Sequence, residues 1–434
     1  MMDPLFVGAA GVALLFLLLV LSMPVALALA LVGFCGISLL ISPSVAMPAL
    51  VRSFYSTFTS YSLTVIPLFI LMGELASICG LSKEIYFVAE KWTRRLPGGL
   101  GLATIGACAG FSTICGSSVA TAATLGKVAL PEMKRYGYDD KLSSGAVAAG
   151  GALGFLIPPS VGFVVYGILT ELSIGKLLIS GFLPGLLLSM AFSGVIFVWV
   201  RLFPAAAPRN LERVSFKEKL FALKKIWELL VAFFLVMGGI YAGVFTPTEA
   251  GAVGAFFLFL TAVFKKNTRL ADFIGAFKST IKISVMTFLI LGGADLFARF
   301  IALAMLPQEL AAWLVALEVS RYLILGIILL GYLFLGCFLD AVSMMVLTLP
   351  VIFPAIIQMG FDPLWFGVIS VLMMEAGLIT PPLGLNIFVI AGVSGYPMET
   401  IFRGAFYFLI PILLVTILIT IFPEIALLLP GMMR

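Results

Sequence analysis

The sequence contains no histidine among its 434 residues. That excludes imidazole metal ligands and histidine proton relays. Charge is scarce too: Asp, Glu, Lys and Arg make up 11% of the chain, against 62% hydrophobic residues. Mean hydropathy is +1.20. A soluble chain of this length has no interior able to hide so much apolar surface. The five cysteines, Cys35, Cys79, Cys108, Cys115 and Cys337, lie scattered in apolar runs without metal-ligand spacing. They read as small buried packing residues. No GxxxxGK[ST] loop is present, which excludes ATP hydrolysis by that route. HExxH, paired-cysteine motifs and GxSxG in a strand–turn–helix setting are also missing, so no catalytic constellation emerges. The net charge of +5 carries no nucleic-acid signal, because in a membrane protein Lys and Arg mark cytoplasmic loops.

What is present is a series of long apolar runs, suited to helices crossing a core of about 30 Å. They are not the alternating ten-residue strands of a β-barrel. Spans are expected at 4–22, 25–42, 61–80, 142–168, 176–200, 226–245, 248–264, 283–303, 364–395 and 401–428. The first has no basic residue ahead of it, only Asp3, and reads as a membrane helix rather than a cleaved signal. Segments 98–130 and 321–350 are apolar, too short for two crossings, and polar at their middles. They read as re-entrant hairpins, tolerated only when packed in protein or lining a wet cavity. With the N-terminus outside, the inside segments 81–97, 127–141, 201–225, 265–282 and 396–403 hold 21 of the 26 Lys and Arg. That asymmetry is the one expected of cytoplasmic loops. Segment 81–97 mixes apolar and basic residues as an interfacial helix does. Segment 304–320 is its expected outside counterpart, and 201–225 reads as a solvated linker.

The chain breaks two apolar runs in the same way, at GFLIPPS (154–160) and GLITPPL (377–383). Adjacent prolines remove backbone donors and clash with the preceding turn. The breaks lie 223 residues apart, and the same offset sets PEMKRYGYD (131–139) on PAIIQMGFD (354–362), Pro24 on Pro247 and Ser117 on Asp340. The sequence therefore predicts an all-α polytopic membrane protein built as an inverted-topology repeat. Residues 1–200 and 226–434 would form the halves, with five crossings and one hairpin in each, joined by 201–225. Such repeats with broken helices are the architecture of secondary transporters, where freed backbone groups meet ions and substrate near the bilayer midplane.

The first hairpin offers the hydroxyls of Ser112, Thr113, Ser117, Ser118 and Thr121, donors suited to a weakly held hard cation. In the second, Asp340 is an ionisable group deep in an apolar run, with Ser343 one turn on. Its carboxylate would neutralise one cation, making Asp340 the metal candidate. Asn386 follows the second break. Glu74 and Glu375 read equally as ion groups or as buried partners of Ser or backbone amides. Arg299 is open to an anionic substrate or to a helix end where it snorkels.

GGLGLATIGACAGFSTICGSSVATAATLG, PEMKRYGYDDKLSSGAVAAGGALGFLIPPS, FTPTEAGAVGA and LDAVSMMVLTLPVIFPAI through GLITPPLGLNIFVI resemble the large membrane subunit of tripartite ATP-independent periplasmic (TRAP) transporters. The resemblance covers nearly the whole chain. It implies a sodium-driven elevator that imports a small organic anion across a bacterial inner membrane. The partners it implies are a small four-helix membrane subunit, expected here as a separate chain, a soluble periplasmic substrate-binding protein, and membrane lipid; nucleic acid is not among them. No cofactor is implied beyond Na+ as coupling ion. By resemblance the sodium ligands fall among Ser112, Ser117, Ser118 and Gly154 in one half, and Asp340, Ser343, Gly377 and Thr380 in the other. Substrate contacts are expected among Thr121, Pro158, Ser160, Asn386 and Arg299. C4-dicarboxylates, sialic acid, other sugar acids and amino-acid derivatives all fit. The competing readings are a sodium- or proton-coupled anion transporter that needs no binding protein, a channel, and a membrane-embedded enzyme. Scarce fixed charge argues against the channel, and missing His and carboxylate pairs argue against the enzyme.

Overall fold

The computed structural model describes residues 3–208, 214–265, 268–316 and 319–433. Arg209, Arg213, Lys266 and Arg434, counted among the basic residues above, lie outside the described residues, as do 317–318 of the expected outer arm. Everything regular in the described chain is helical. The first half runs α1 (Pro4–Val20), α2 (Val25–Leu40), α3 (Pro43–Thr59), α4 (Val65–Ile78), α5 (Leu81–Thr93), α6 (Gly99–Cys115), α7 (Ser118–Arg135), α8 (Asp140–Leu156), α9 (Val161–Thr170), α10 (Ile174–Ser180) and α11 (Phe182–Leu202). A joining helix α12 (Phe216–Leu223) follows. The second half runs α13 (Trp227–Phe233), α14 (Gly239–Tyr241), α15 (Pro247–Phe264), α16 (Leu270–Leu303), α17 (Leu306–Ala316), α18 (Arg321–Gly336), α19 (Ala341–Gln358), α20 (Pro363–Leu378), α21 (Leu385–Ser394), α22 (Met398–Ile421) and α23 (Glu424–Met432).

Helix bounds follow the 223-residue offset closely. α7 and α19 start and end 223 residues apart, and α8 and α20 start 223 apart. Their caps correspond as well. Asp139 accepts from Lys141 N and Leu142 N to start α8, and Asp362 accepts from Leu364 N and Trp365 N to start α20. Ser117 caps α7 and Asp340 caps α19. Side-chain oxygens satisfy N–H groups that a helix start leaves orphaned.

Among the described residues, six helical segments are long and apolar enough to cross a membrane, or seven if α8 and α9, bent by 42° at their break, form one span. Ten crossings were expected. Of the other expected spans, 4–22 and 25–42 hold α1 and α2 and 364–395 holds α20 and α21, apolar helices of 10–17 residues, below the ~20 of a perpendicular crossing, while 226–245 is divided between the shorter α13 and α14. Two elements depart from expectation. α3 lacks the signal of a span because its run PSVAMPALVRSFYSTFT carries Arg52, two prolines and six hydroxyl-bearing residues. α16 is one continuous helix of 34 residues, so most of 265–282 is helix rather than loop.

α8 and α20 form the centre, with Leu142–Leu156 and Trp365–Leu378 buried throughout. The scaffold around them is pinned by a charge cluster. Lys265 at the end of α15 reaches Glu84 on α5 (3.2 Å), Glu228 on α13 (3.1 Å) and the Cys79 carbonyl beyond α4 (3.0 Å). Burial opposes the charge on Lys265, but the bonded Glu228 and then Glu84 outweigh it and hold the ammonium above its usual pKa. Removing one partner leaves the buried Glu228 carboxylate uncompensated. Lys265→Met should therefore cost about 2–3 kcal/mol, below the ~3–5 for a fully buried pair because the lysine is partly exposed. A thermal unfolding scan should show a drop of several degrees, and Lys265→Arg should recover most of it.

Candidate functional site

Helix ends that flank the breaks, together with the hairpin-tip residues Ser117 and Asp340, line one cavity of about 360 Å³. One wall comes from α4 (Gly73, Glu74, Ser77) and α16 (Ile283, Met286, Thr287). The opposite wall is made of helix ends. Ser118, Val161, Ala341 and Leu385 line it, and they are the first residues of α7, α9, α19 and α21. Cys115, Phe155 and Leu378, at the ends of α6, α8 and α20, line it too. With the first residues of four helices in its lining, the cavity lies in the partial positive charge of four helix N-termini, which favours an anion. The C-termini offer carbonyl oxygens to a cation. Three of the N-termini are capped, by Ser117, Ser160 and Asp340, whereas α21 starts from Gly384 with no side-chain cap. Its first N–H groups have no side-chain partner of their own.

Among the described residues, no lysine or arginine lines the cavity, and its titratable side chains are Glu74, Asp340, Glu375 and Cys115. Each carboxylate takes a serine hydroxyl. Ser279 donates to Glu74, Ser343 to Asp340, and Ser118 to Glu375 at 2.7 Å. Ser118 also accepts from Asn386 Nδ2 at 2.8 Å, joining the first hairpin to both sides of the second break. Glu375 is 1% exposed, and its Oε1 has no hydrogen-bond partner among the described residues. An unsatisfied buried carboxylate oxygen is costly unless something binds it.

The first hairpin meets the first break closely. Val161 N donates to the Gly116 carbonyl at 3.2 Å. A Cβ on Gly154 would sit 2.5 Å from Ser117 O and 2.6 Å from Thr121 Oγ1. Thr121 Oγ1 is buried and has no partner among the described residues. Ser117, Gly154 and Thr121 therefore form a tight oxygen-lined junction. Its carbonyl and hydroxyl donors suit a hard cation. In the second half Asp340 accepts from Val342 N and Ser343 N, both at 3.1 Å, and Gly377 packs on the backbone of Gly336. Among the described residues no three Cys, Asp or Glu side chains converge as a transition-metal site requires.

Other expected residues are turned elsewhere. Ser112 donates to Cys108 O and Thr380 to Ala376 O, each on its own helix. Ser160 donates to Phe155 O and caps α9, and Pro158 sits in the break outside the cavity lining. Arg299 pairs with Asp295 at 3.0 Å on an exposed face of α16, away from the cavity. Ser279, the partner of Glu74, carried no signal, since its segment read as a loop.

Broken helices around a mostly apolar cavity that holds three carboxylates, in an apolar helical bundle, belong to a polytopic membrane protein. The sequence matches the family described as "Tripartite ATP-independent periplasmic transporter, DctM component" over residues 12–425, and the chain belongs to that family. It is 36% identical to the C4-dicarboxylate TRAP transporter large permease protein DctM of Pseudomonas aeruginosa, covering 91% of each chain. It is 33% identical to the sialic acid TRAP transporter large permease protein SiaM of Vibrio cholerae, covering 86% of this chain and 87% of that one. A solved structure of similar fold is the Alcanivorax borkumensis YdaH transporter, described as having an unusual topology. Its TM-score is 0.60 at 14% identity, over 89% of this chain and 88% of that one.

Proposed function

We propose that this permease imports a small organic anion, a carboxylate of the C4-dicarboxylate or sugar-acid class, in symport with sodium across a bacterial inner membrane. The observation that carries the reading is the cavity's composition: four helix N-termini, three carboxylates and, among the described residues, no basic side chain. Helix N-termini favour the substrate anion. The carboxylates oppose it unless cations are bound nearby. Sodium at Ser117–Gly154–Thr121 and at Asp340–Ser343 would supply that charge and link ion binding to substrate binding. A periplasmic binding protein delivers the anion, and a separate small membrane subunit braces the scaffold. The two halves are inserted with opposite topology. Transport is an elevator motion, with the hairpins and broken helices sliding as a body against α4 and α16, which supply the cavity's other wall.

Reconstitution tests this. Proteoliposomes holding the chain and its small subunit, supplied with binding protein, should accumulate labelled C4-dicarboxylate or sialic acid only under an inward sodium gradient. Full-rate uptake without sodium overturns the reading. Uptake by this chain alone, with no soluble partner, favours a transporter independent of a binding protein.

A further inference from the structure

α12 is short, basic and aromatic. Phe216, Leu220 and Phe221 are exposed, as is Trp227 just beyond it. Lys217, Lys219, Lys224 and Lys225 stand among them. Water solvates that apolar face poorly, and a hydrocarbon core solvates the lysines poorly; the membrane interface suits both. The segment was expected to be a solvated linker, yet α12 rests on α5. The Trp92 and Phe216 rings lie 6.5 Å apart, edge to face, and Lys219 donates to the Trp92 carbonyl at 3.4 Å.

Between the two helices is a pocket of about 450 Å³, lined by Phe87, Lys91, Lys217, Glu218, Phe221 and Lys225 together with Ala222. Three ammonium groups face one carboxylate. Lys225 and Lys91 stand 4.2 and 5.4 Å from the Phe87 ring centroid. Among the described residues, no ion pair engages Lys91, Lys217 or Lys225. Like charges gathered around one concavity repel, and an anion between them removes the repulsion.

We propose that this pocket binds the headgroup of an anionic phospholipid in the leaflet on the side of the basic loops. Its acyl chains lie along Phe216, Leu220 and Phe221. The apolar rim selects a lipid over a free anion. Basic pockets on the cytoplasmic side of membrane helices recognise headgroups by this chemistry. The bound lipid ties α5, which leads into the first hairpin, to α12, which leads into the second half.

The test is thermal unfolding of the full chain in neutral detergent, titrated with short-chain phosphatidylglycerol, phosphatidylcholine of the same chains, or inorganic phosphate. Phosphatidylglycerol should raise Tm and the other two should not. Combined Lys91→Gln, Lys217→Gln and Lys225→Gln should raise the half-saturating concentration about a hundredfold, at about fivefold per lysine. Lys127→Gln, Lys278→Gln and Lys282→Gln together remove the same charge elsewhere and should leave the titration unchanged. Tm without lipid shows that both variants fold. The proposal is overturned if phosphatidylcholine acts as well as phosphatidylglycerol, if phosphate alone reproduces the rise, or if both variants respond alike.

Discussion

Asp340→Asn should leave the protein folded and reduce sodium-driven uptake by a hundredfold or more. Asp340 has two separable jobs. As a cap, its carboxylate accepts from Val342 N and Ser343 N at the start of α19. Asparagine caps a helix about as well as aspartate, so stability should change by only a few tenths of a kcal/mol. As a charge, the carboxylate lines the cavity. A cation about 4 Å away gains roughly 4 kcal/mol from it at an effective dielectric near 20, and the amide gives most of that back. Initial uptake rates and Tm measured on the same preparation separate the two jobs. Wild-type uptake by Asp340→Asn would leave only the cap.

Gly377→Ala and Gly154→Ala should each abolish transport and lower Tm by several degrees. A Cβ at Gly377 would lie 2.5 Å from Gly336 Cα and 2.8 Å from Leu333 O, all backbone of α18. α18 must then move away from the break. At Gly154 the added methyl would enter the Ser117–Thr121 junction, where Ser117 O is likewise fixed backbone. Overpacking costs about 1–3 kcal/mol where side chains can adjust, and backbone adjusts less readily. Gly326 and Gly392 are controls on α18 and α21, because a Cβ at either meets nothing within 4 Å. Alanine there should be neutral or slightly stabilising, since it favours helix. Equal losses at all four positions would mean that the close approaches at the breaks have no special role.

The breaks were legible because proline acts locally: two adjacent prolines interrupt a helix whatever surrounds them. Polar residues in apolar runs marked the hairpin tips, but length did not mark the arms: α7 runs to Arg135 and α19 to Gln358, past the expected ends at 130 and 350, and α19 is itself long and apolar enough to cross a membrane. Hairpin tips fall at Gly116–Ser117 and 337–340, inside the expected segments. What failed was also physical. α3 buries only Ala46, Ser53 and Thr57, so no apolar stripe marks it. The basic start of α16 imitates a loop because its charges are exposed along a helix that simply continues. The site was half legible. Ser118, Glu375 and Asn386 each stood out as polar in apolar surroundings, but Ser118 lies 257 and 268 residues from the other two, and only the fold joins them. Arg299 was misleading because its partner, Asp295, sits one turn away on the same exposed face.

Sodium binding can be measured without knowing the substrate. Tm should be compared in sodium chloride and choline chloride at equal ionic strength, for wild type and Asp340→Asn. A ligand bound only by the folded state stabilises by about 2.7 kcal/mol at a hundred times its Kd. The expected result is a sodium-specific rise of several degrees in wild type, reduced in Asp340→Asn. No difference between the two salts, up to hundreds of millimolar, would contradict a sodium-coupled cavity.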